Sequence, residues 1–187
     1  MKKIAFFLVA ALAGCAGPSA RPDPRSDPVG YLRAPKDFRV ELLYSVPAET
    51  QGSWVAMCVD PRGRLIVSDQ FGKLYRVTAP PIGGEPEDTK VEPVDLDIGQ
   101  AQGLLWAFDS LYVVVNSMEK RQSGLFRVTD TDGDDRLDKI ELLRKFNESG
   151  EHGPHAVVLT GDGYGLYVIA GNRTKHEAFD RSRVTRT

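Results

Sequence analysis

The chain has 187 residues, 27% charged and 41% hydrophobic, with a formal net charge of -2. This is the composition of an ordinary globular protein. The balance argues against a nucleic-acid binder, and no polybasic block points to electrostatic docking on a membrane.

Lys2 and Lys3 open the chain, and Ile4 to Leu12 form an apolar stretch too short to span a bilayer as a helix. The segment ends Leu12-Ala13-Gly14-Cys15, which resembles the lipobox of bacterial lipoproteins. Residues 1–14 are therefore expected to be a signal peptide and Cys15 the lipidated new N-terminus. The alternative is an ordinary secretory signal with an incidental Cys. Ala16 carries no acidic retention signal, so the expected location is the cell envelope, at the outer membrane or facing the periplasm. A lipid would hold the chain there at about 0.8 kcal/mol per buried CH₂. Residues 15–36, rich in Pro, Ser, Arg and Asp, cannot bury a core and read as an extended tether. With Cys15 lipidated, Cys58 is left alone of the two cysteines. It lies in the apolar stretch Trp54-Val55-Ala56-Met57-Cys58-Val59 and reads as a small packed hydrophobe.

The folded region is expected over residues 37–187. Phe38 to Tyr44 alternates in part and predicts a first strand, ended by Pro47. Leu65 to Ser68 and Leu74 to Val77 predict a hairpin across Phe71-Gly72-Lys73. Pro80, Pro81, Gly83, Gly84 and Pro86 make a loop, and Val91 to Leu96 predicts another strand. Leu111 to Val115 with Leu125 to Val128, and Val157 to Leu159 with Leu166 to Ala170, predict two further hairpins. Ile140 to Phe146 fits either a strand or a short helix. Three stretches repeat one pattern: a polar turn holding Asp, a β-branched or aromatic run, a polar stop. Their anchors Leu65, Leu111 and Leu166 recur at about 46 to 55 residues. Four-stranded propeller blades repeat at roughly 40–50 residues. The pattern predicts an all-β chain forming a partial β-propeller of about three four-stranded blades. Rings of this kind typically need about four to eight, so the chain is expected to be a fragment, with the remaining blades supplied elsewhere.

Asp130-Thr131-Asp132-Gly133-Asp134-Asp135-Arg136-Leu137-Asp138-Lys139-Ile140-Glu141 places carboxylates at loop positions 1, 3, 5, 9 and 12 and an apolar Leu137 at position 8. This is Ca²⁺-loop spacing, in which hard oxygens converge on a hard cation. It departs from the EF-hand pattern at position 6, where Asp135 stands in place of Gly. No flanking helices are expected, so residues 130–141 read as a Ca²⁺-type loop inserted between strands. Asp130, Asp132 and Asp134 are the leading ligand candidates, with Asp138 and Glu141 behind them. A solvated acidic turn is the alternative. The second constellation, Glu151-His152-Gly153-Pro154-His155, puts two of the three histidines in a Gly/Pro loop. Imidazole suits proton transfer near neutral pH. A transition-metal pair with His176, or a turn in which the rings bond backbone carbonyls, remain open beside it.

The run from Glu151-His152-Gly153-Pro154-His155-Ala156-Val157-Val158 through Asp162-Gly163, Leu166-Tyr167-Val168 and Gly171-Asn172 resembles the soluble sugar dehydrogenases dependent on pyrroloquinoline quinone (PQQ), which are six-bladed propellers. A closer resemblance is to the first domain of large membrane-bound dehydrogenase-like proteins of planctomycete-type bacteria. That resemblance adds Gly52-Ser53-Trp54, Gly63-Arg64-Leu65-Ile66-Val67-Ser68-Asp69-Gln70, Ala101-Gln102-Gly103-Leu104 and Asp130-Thr131-Asp132-Gly133-Asp134. It covers about Phe38 to Thr187. It implies hydride transfer from a sugar or alcohol to a quinone, with His152 as general base. His155 and Asn172 become cofactor-side candidates, although His155 has no counterpart in the family and Asn172 replaces its usual Asp. The family's cationic cofactor contacts lie in later blades, and longer relatives carry a following cytochrome domain, an expected partner. The fragment by itself is expected to be inactive. A second expectation is a non-catalytic, calcium-stabilised propeller that binds carbohydrate or protein at the cell surface.

Overall fold

The computed structural model describes residues 30, 32–117, 122–147 and 150–174. The proposed signal peptide, Cys15, most of the tether and His176 lie outside the described residues. A one-turn helix α1 (Ala48–Gln51) precedes ten strands: β1 (Trp54–Val59), β2 (Leu65–Asp69), β3 (Leu74–Thr78), β4 (Lys90–Pro93), β5 (Ala101–Ala107), β6 (Ser110–Val115), β7 (Gly124–Thr129), β8 (Lys139–Lys145), β9 (Pro154–Leu159) and β10 (Leu166–Ala170). β1 to β4 make one antiparallel meander, β5 to β8 a second, and β9 with β10 a two-stranded third sheet. The described residues are all-β apart from α1 and a 3-10 turn at Pro86–Asp88.

The repeated pattern falls on the same place in each sheet. Leu65 opens β2, Leu111 is the second residue of β6, and Leu166 opens β10, and each of these is the second strand of its sheet. Successive side chains on a strand point to opposite faces. Leu111 therefore joins Val113 and Val115 against the first sheet, while Tyr112 and Val114 face the third. Every residue of β6 is buried. Burial on both faces requires an unbroken apolar run rather than an alternating one, and Leu-Tyr-Val-Val-Val supplies it. Each such side chain contributes roughly 1.5–3 kcal/mol by leaving water. Between the first and second sheets Ile66, Leu74, Leu104, Leu111, Val113 and Val128 form the main core.

The segment predicted as a strand from Phe38 to Tyr44 is not one. Tyr44 and Val46 instead cover the outer face of the first sheet, over Trp54, Val67 and Val77. Tyr44, Trp54 and Tyr75 stack there with ring centroids 5.6 and 6.0 Å apart. Of the alternating apolar residues, Tyr44 packs on this face while Phe38 and Leu42 stay exposed, so the alternation reported neither a ladder nor a buried face. The strand predicted from Val91 to Leu96 stops at Pro93. Beyond it Val94 N–H donates to Leu74 C=O, and Leu96 N–H turns back to Val94 C=O. The ambiguous stretch at Ile140 to Phe146 is strand β8.

β1 packs against β5 and β5 against β9, so the first strands of the three sheets stack on one another. The approach of β5 to β9 is backbone to backbone. A Cβ on Gly103 would lie 2.7 Å from His155 C=O and 2.8 Å from the Ala156 Cα, so only glycine fits. Meander topology then fixes two ends of the stack. The turns joining first to second strands, and the loops joining third to fourth, lie at one end. The loops joining second to third strands, and those leading into each new sheet, lie at the other.

Candidate functional site

The acidic loop joins β7 to β8 at the first of these ends, and Asp138 N–H donates to Thr129 C=O to close it. Leu137 anchors it by entering the main core, 7% exposed. One carboxylate oxygen from each of Asp130, Asp132 and Asp138 lies within 4.8 Å of the others. Asp134 and Glu141 stand outside this group. Asp134 accepts Arg136 N–H at 2.8 Å, and Glu141 pairs with Arg127 at 2.6 Å across the sheet.

The loop organises its own carboxylates. Asp130 accepts the amides of Gly133 (2.7 Å) and Asp135 (2.8 Å). Asp132 accepts Asp134 N–H at 3.2 Å, and Asp138 accepts the Thr131 amide and hydroxyl at 3.1 and 2.6 Å. Desolvation pushes the Asp130 carboxyl up, yet the hydrogen bonds from Gly133, Asp135 and Asp132 together outweigh it and hold the group below its ordinary value. A carboxylate offers about four lone-pair sites, so these bonds leave capacity for a cation. Oxygen-only donors of this kind fit a hard ion such as Ca²⁺. Position 6 has φ +73° at Asp135, and position 4 has φ +81° at Gly133. The loop therefore needs the left-handed conformation where the sequence departs from Gly, and Asp is among the few side chains that adopt it.

Asp135 turns out of the loop toward the first sheet. Arg64 grips its carboxylate with two bonds of 2.6 and 2.7 Å, and Arg62 adds a third at 2.9 Å. Arg76 donates to the Asp135 C=O at 3.0 Å. Arg64 also gives its Nε–H to Asp60 at 2.7 Å. The hydrogen bonds from Arg64 hold the Asp135 carboxyl below its ordinary value, against some desolvation, and the charges of Arg64, Arg76 and Arg62 act in the same direction. This network was not foreseen from sequence. Its signal was the departure at position 6, beside the Asp-Pro-Arg-Gly-Arg turn at residues 60–64.

The histidine loop lies at the opposite end, leading into β9. His152 is exposed in a turn, and its ring makes no hydrogen bond among the described residues. His155 is half-buried, with its Nε2 2.9 Å from Glu151 C=O, which matches the reading of a ring tied to the backbone. Asn172 is exposed in the turn after β10, held near His152 because Gly171 N–H donates to Gly153 C=O at 2.9 Å. A Cβ on Gly171 would meet His152 C=O at 2.3 Å. The polar stops act as clamps here. Asn116 both donates to and accepts from Gly150 at 2.8 Å, and Gly153 passes too close to its amide for any side chain.

The structure thus brings Asp130, Asp132 and Asp138 together, sets His152 beside Asn172, and separates the two groups. The strands between the ends have five to seven residues. At about 3.3 Å per residue the ends lie on the order of 20 Å apart. No cation is paired with His152 among the described residues, whereas Arg62, Arg64, Arg76 and Arg127 are engaged by Asp60, Asp135 and Glu141. Comparison of the chain with protein families, curated proteins and solved structures finds no match.

Proposed function

We propose that the three sheets are successive blades of a calcium-stabilised β-propeller that serves as a binding scaffold for carbohydrate or protein at the cell envelope. The convergence of Asp130, Asp132 and Asp138 carries this reading. The propeller assignment is supported by the repeated meander, by the stacking of first strands, and by the open outer face of the third sheet. There Val158, Tyr167 and Ile169 stand exposed where a following blade would pack. Attachment through a lipid on Cys15 follows from the lipobox resemblance.

Calcium is expected to raise the melting temperature of the chain, and Asp132→Ala to remove most of that rise. Equal melting of the parent chain with and without calcium would refute the calcium role. The dehydrogenase reading, with PQQ as acceptor, a sugar or alcohol as donor and His152 as base, rests on the sequence resemblance.

A further inference from the structure

Asp135 touches both sides of the boundary between the first two sheets. Its carboxylate is held by Arg62 and Arg64, and its C=O by Arg76. Its N–H donates to Asp130, a member of the converging group, at 2.8 Å. On the other side Arg64 is seated by Asp60, which also accepts the amides of Arg62 and Arg64 at 2.9 Å each. An unbroken path of hydrogen bonds therefore runs from the first-sheet turn to a ligand carboxylate of the second-sheet loop.

We propose that Asp135 is a positioning residue that couples cation binding by Asp130, Asp132 and Asp138 to the Asp60–Arg64 turn of the first sheet. This inference rests on the calcium reading above. Glycine at position 135 would adopt φ +73° without the roughly 1–2 kcal/mol that a side chain costs in the left-handed region. The chain carries an aspartate there, and its carboxylate occupies guanidinium groups that would otherwise be free to pair with the loop carboxylates and compete with a cation. Seating Asp135 also aims its amide at Asp130. Cation binding tightens the loop, the loop fixes Asp135, and Asp135 fixes Arg64 on its turn.

The test is calcium titration of the full chain by calorimetry, with hydrogen exchange followed at single amides. In the parent chain calcium is expected to slow exchange at the Arg62 and Arg64 amides as well as within the loop. Outer partners that orient metal ligands typically govern affinity by about 10–100-fold. Asp135→Asn is therefore expected to weaken calcium binding about tenfold and to abolish the slowing at Arg62 and Arg64, while Gly133 still responds. Arg64→Gln is expected to uncouple the two sheets in the same way, and serves if Asp135→Asn does not fold. Slowing confined to the loop in the parent chain overturns the coupling alone. So do unchanged affinity and undiminished slowing in the variants. Absence of any binding heat or exchange response in the parent overturns the calcium reading and the coupling with it.

Discussion

Asp60→Ala tests what holds the first turn. The Asp60 side chain is fully buried and accepts three bonds: two turn amides at 2.9 Å and the Arg64 Nε–H at 2.7 Å. Deleting it leaves two amides without their acceptor, at about 1 kcal/mol each, and removes a charged bond of about 1.5–3 kcal/mol. Arg64 keeps Asp135 and is itself 17% exposed, which softens the loss. The expected destabilisation is about 3–4 kcal/mol, within the range of roughly 3–5 kcal/mol for breaking a buried ion pair on one side. In a domain of this size that lowers the melting temperature by roughly 10 °C. Asp60→Asn retains an acceptor for the turn amides and should cost about half as much, since the charged bond is worth more than each neutral one. Urea unfolding followed by circular dichroism reads both variants. An Asp60→Ala chain within about 0.5 kcal/mol of the parent, the scatter of ordinary surface changes, would show that the turn is held by something else.

Cys58 should be slow to react in the folded chain, because burial first and the Asp60 charge second push its thiol up to about 12. Since the thiolate is the nucleophile, alkylation of the Cys58 peptide is expected to accelerate sharply on unfolding, and fast labelling of native protein would contradict this environment. The Asp162 carboxyl is held below its ordinary value by the Thr160 hydroxyl and the Tyr164 amide. A depressed carboxyl contributes stability that is complete above its unfolded value of about 3.9 and is lost as pH falls through its folded value. This contribution should therefore hold from neutral pH down to about pH 4 and then decline. Asp162→Asn should make that decline shallower, and an identical acid profile would remove Asp162 from the account.

The parts of the fold legible in the sequence were those where side-chain pattern and backbone pairing coincide. Leu65, Leu111 and Leu166 announced second strands because each begins an apolar run after an Asp-bearing turn. β5 was missed because Ala101, Gln102 and Gly103 are poor strand formers, and Gly103 is there for a clearance that only the folded chain defines. Phe38 to Tyr44 misled because a short partial alternation occurs without pairing or burial: Phe38 and Leu42 are exposed and only Tyr44 packs on the first sheet. At the acidic loop, spacing found the five carboxylates but ranked Asp134 ahead of Asp138, whereas the structure groups Asp138 with Asp130 and Asp132 and leaves Asp134 out. Spacing along the chain does not show which carboxylates are drawn off: Asp134 accepts Arg136 N–H, and Glu141 pairs with Arg127, fourteen residues back on a neighbouring strand. Asp135 lay outside the ligand pattern altogether, since its partners come from another sheet.

The separation of the two ends constrains any chemistry assigned to the chain. An ion at Asp130, Asp132 and Asp138 lies on the order of 20 Å from His152, allowing for the rise of the intervening strands. At that distance it cannot polarise a substrate held at His152 or lower that ring's proton affinity by direct contact. Exposed charges further apart than about 8–10 Å are also largely screened at physiological salt. Under the proposed calcium reading, the ion would act through the packing of the first sheet on the second. The histidine end is joined to the second sheet through β5 and β9, whose backbones meet at Gly103 and His155, through Tyr112 and Val114 of β6, and through Asn116 on Gly150. The loops at the histidine end are held by Asn116, Gly150 and Gly153 through close backbone approach.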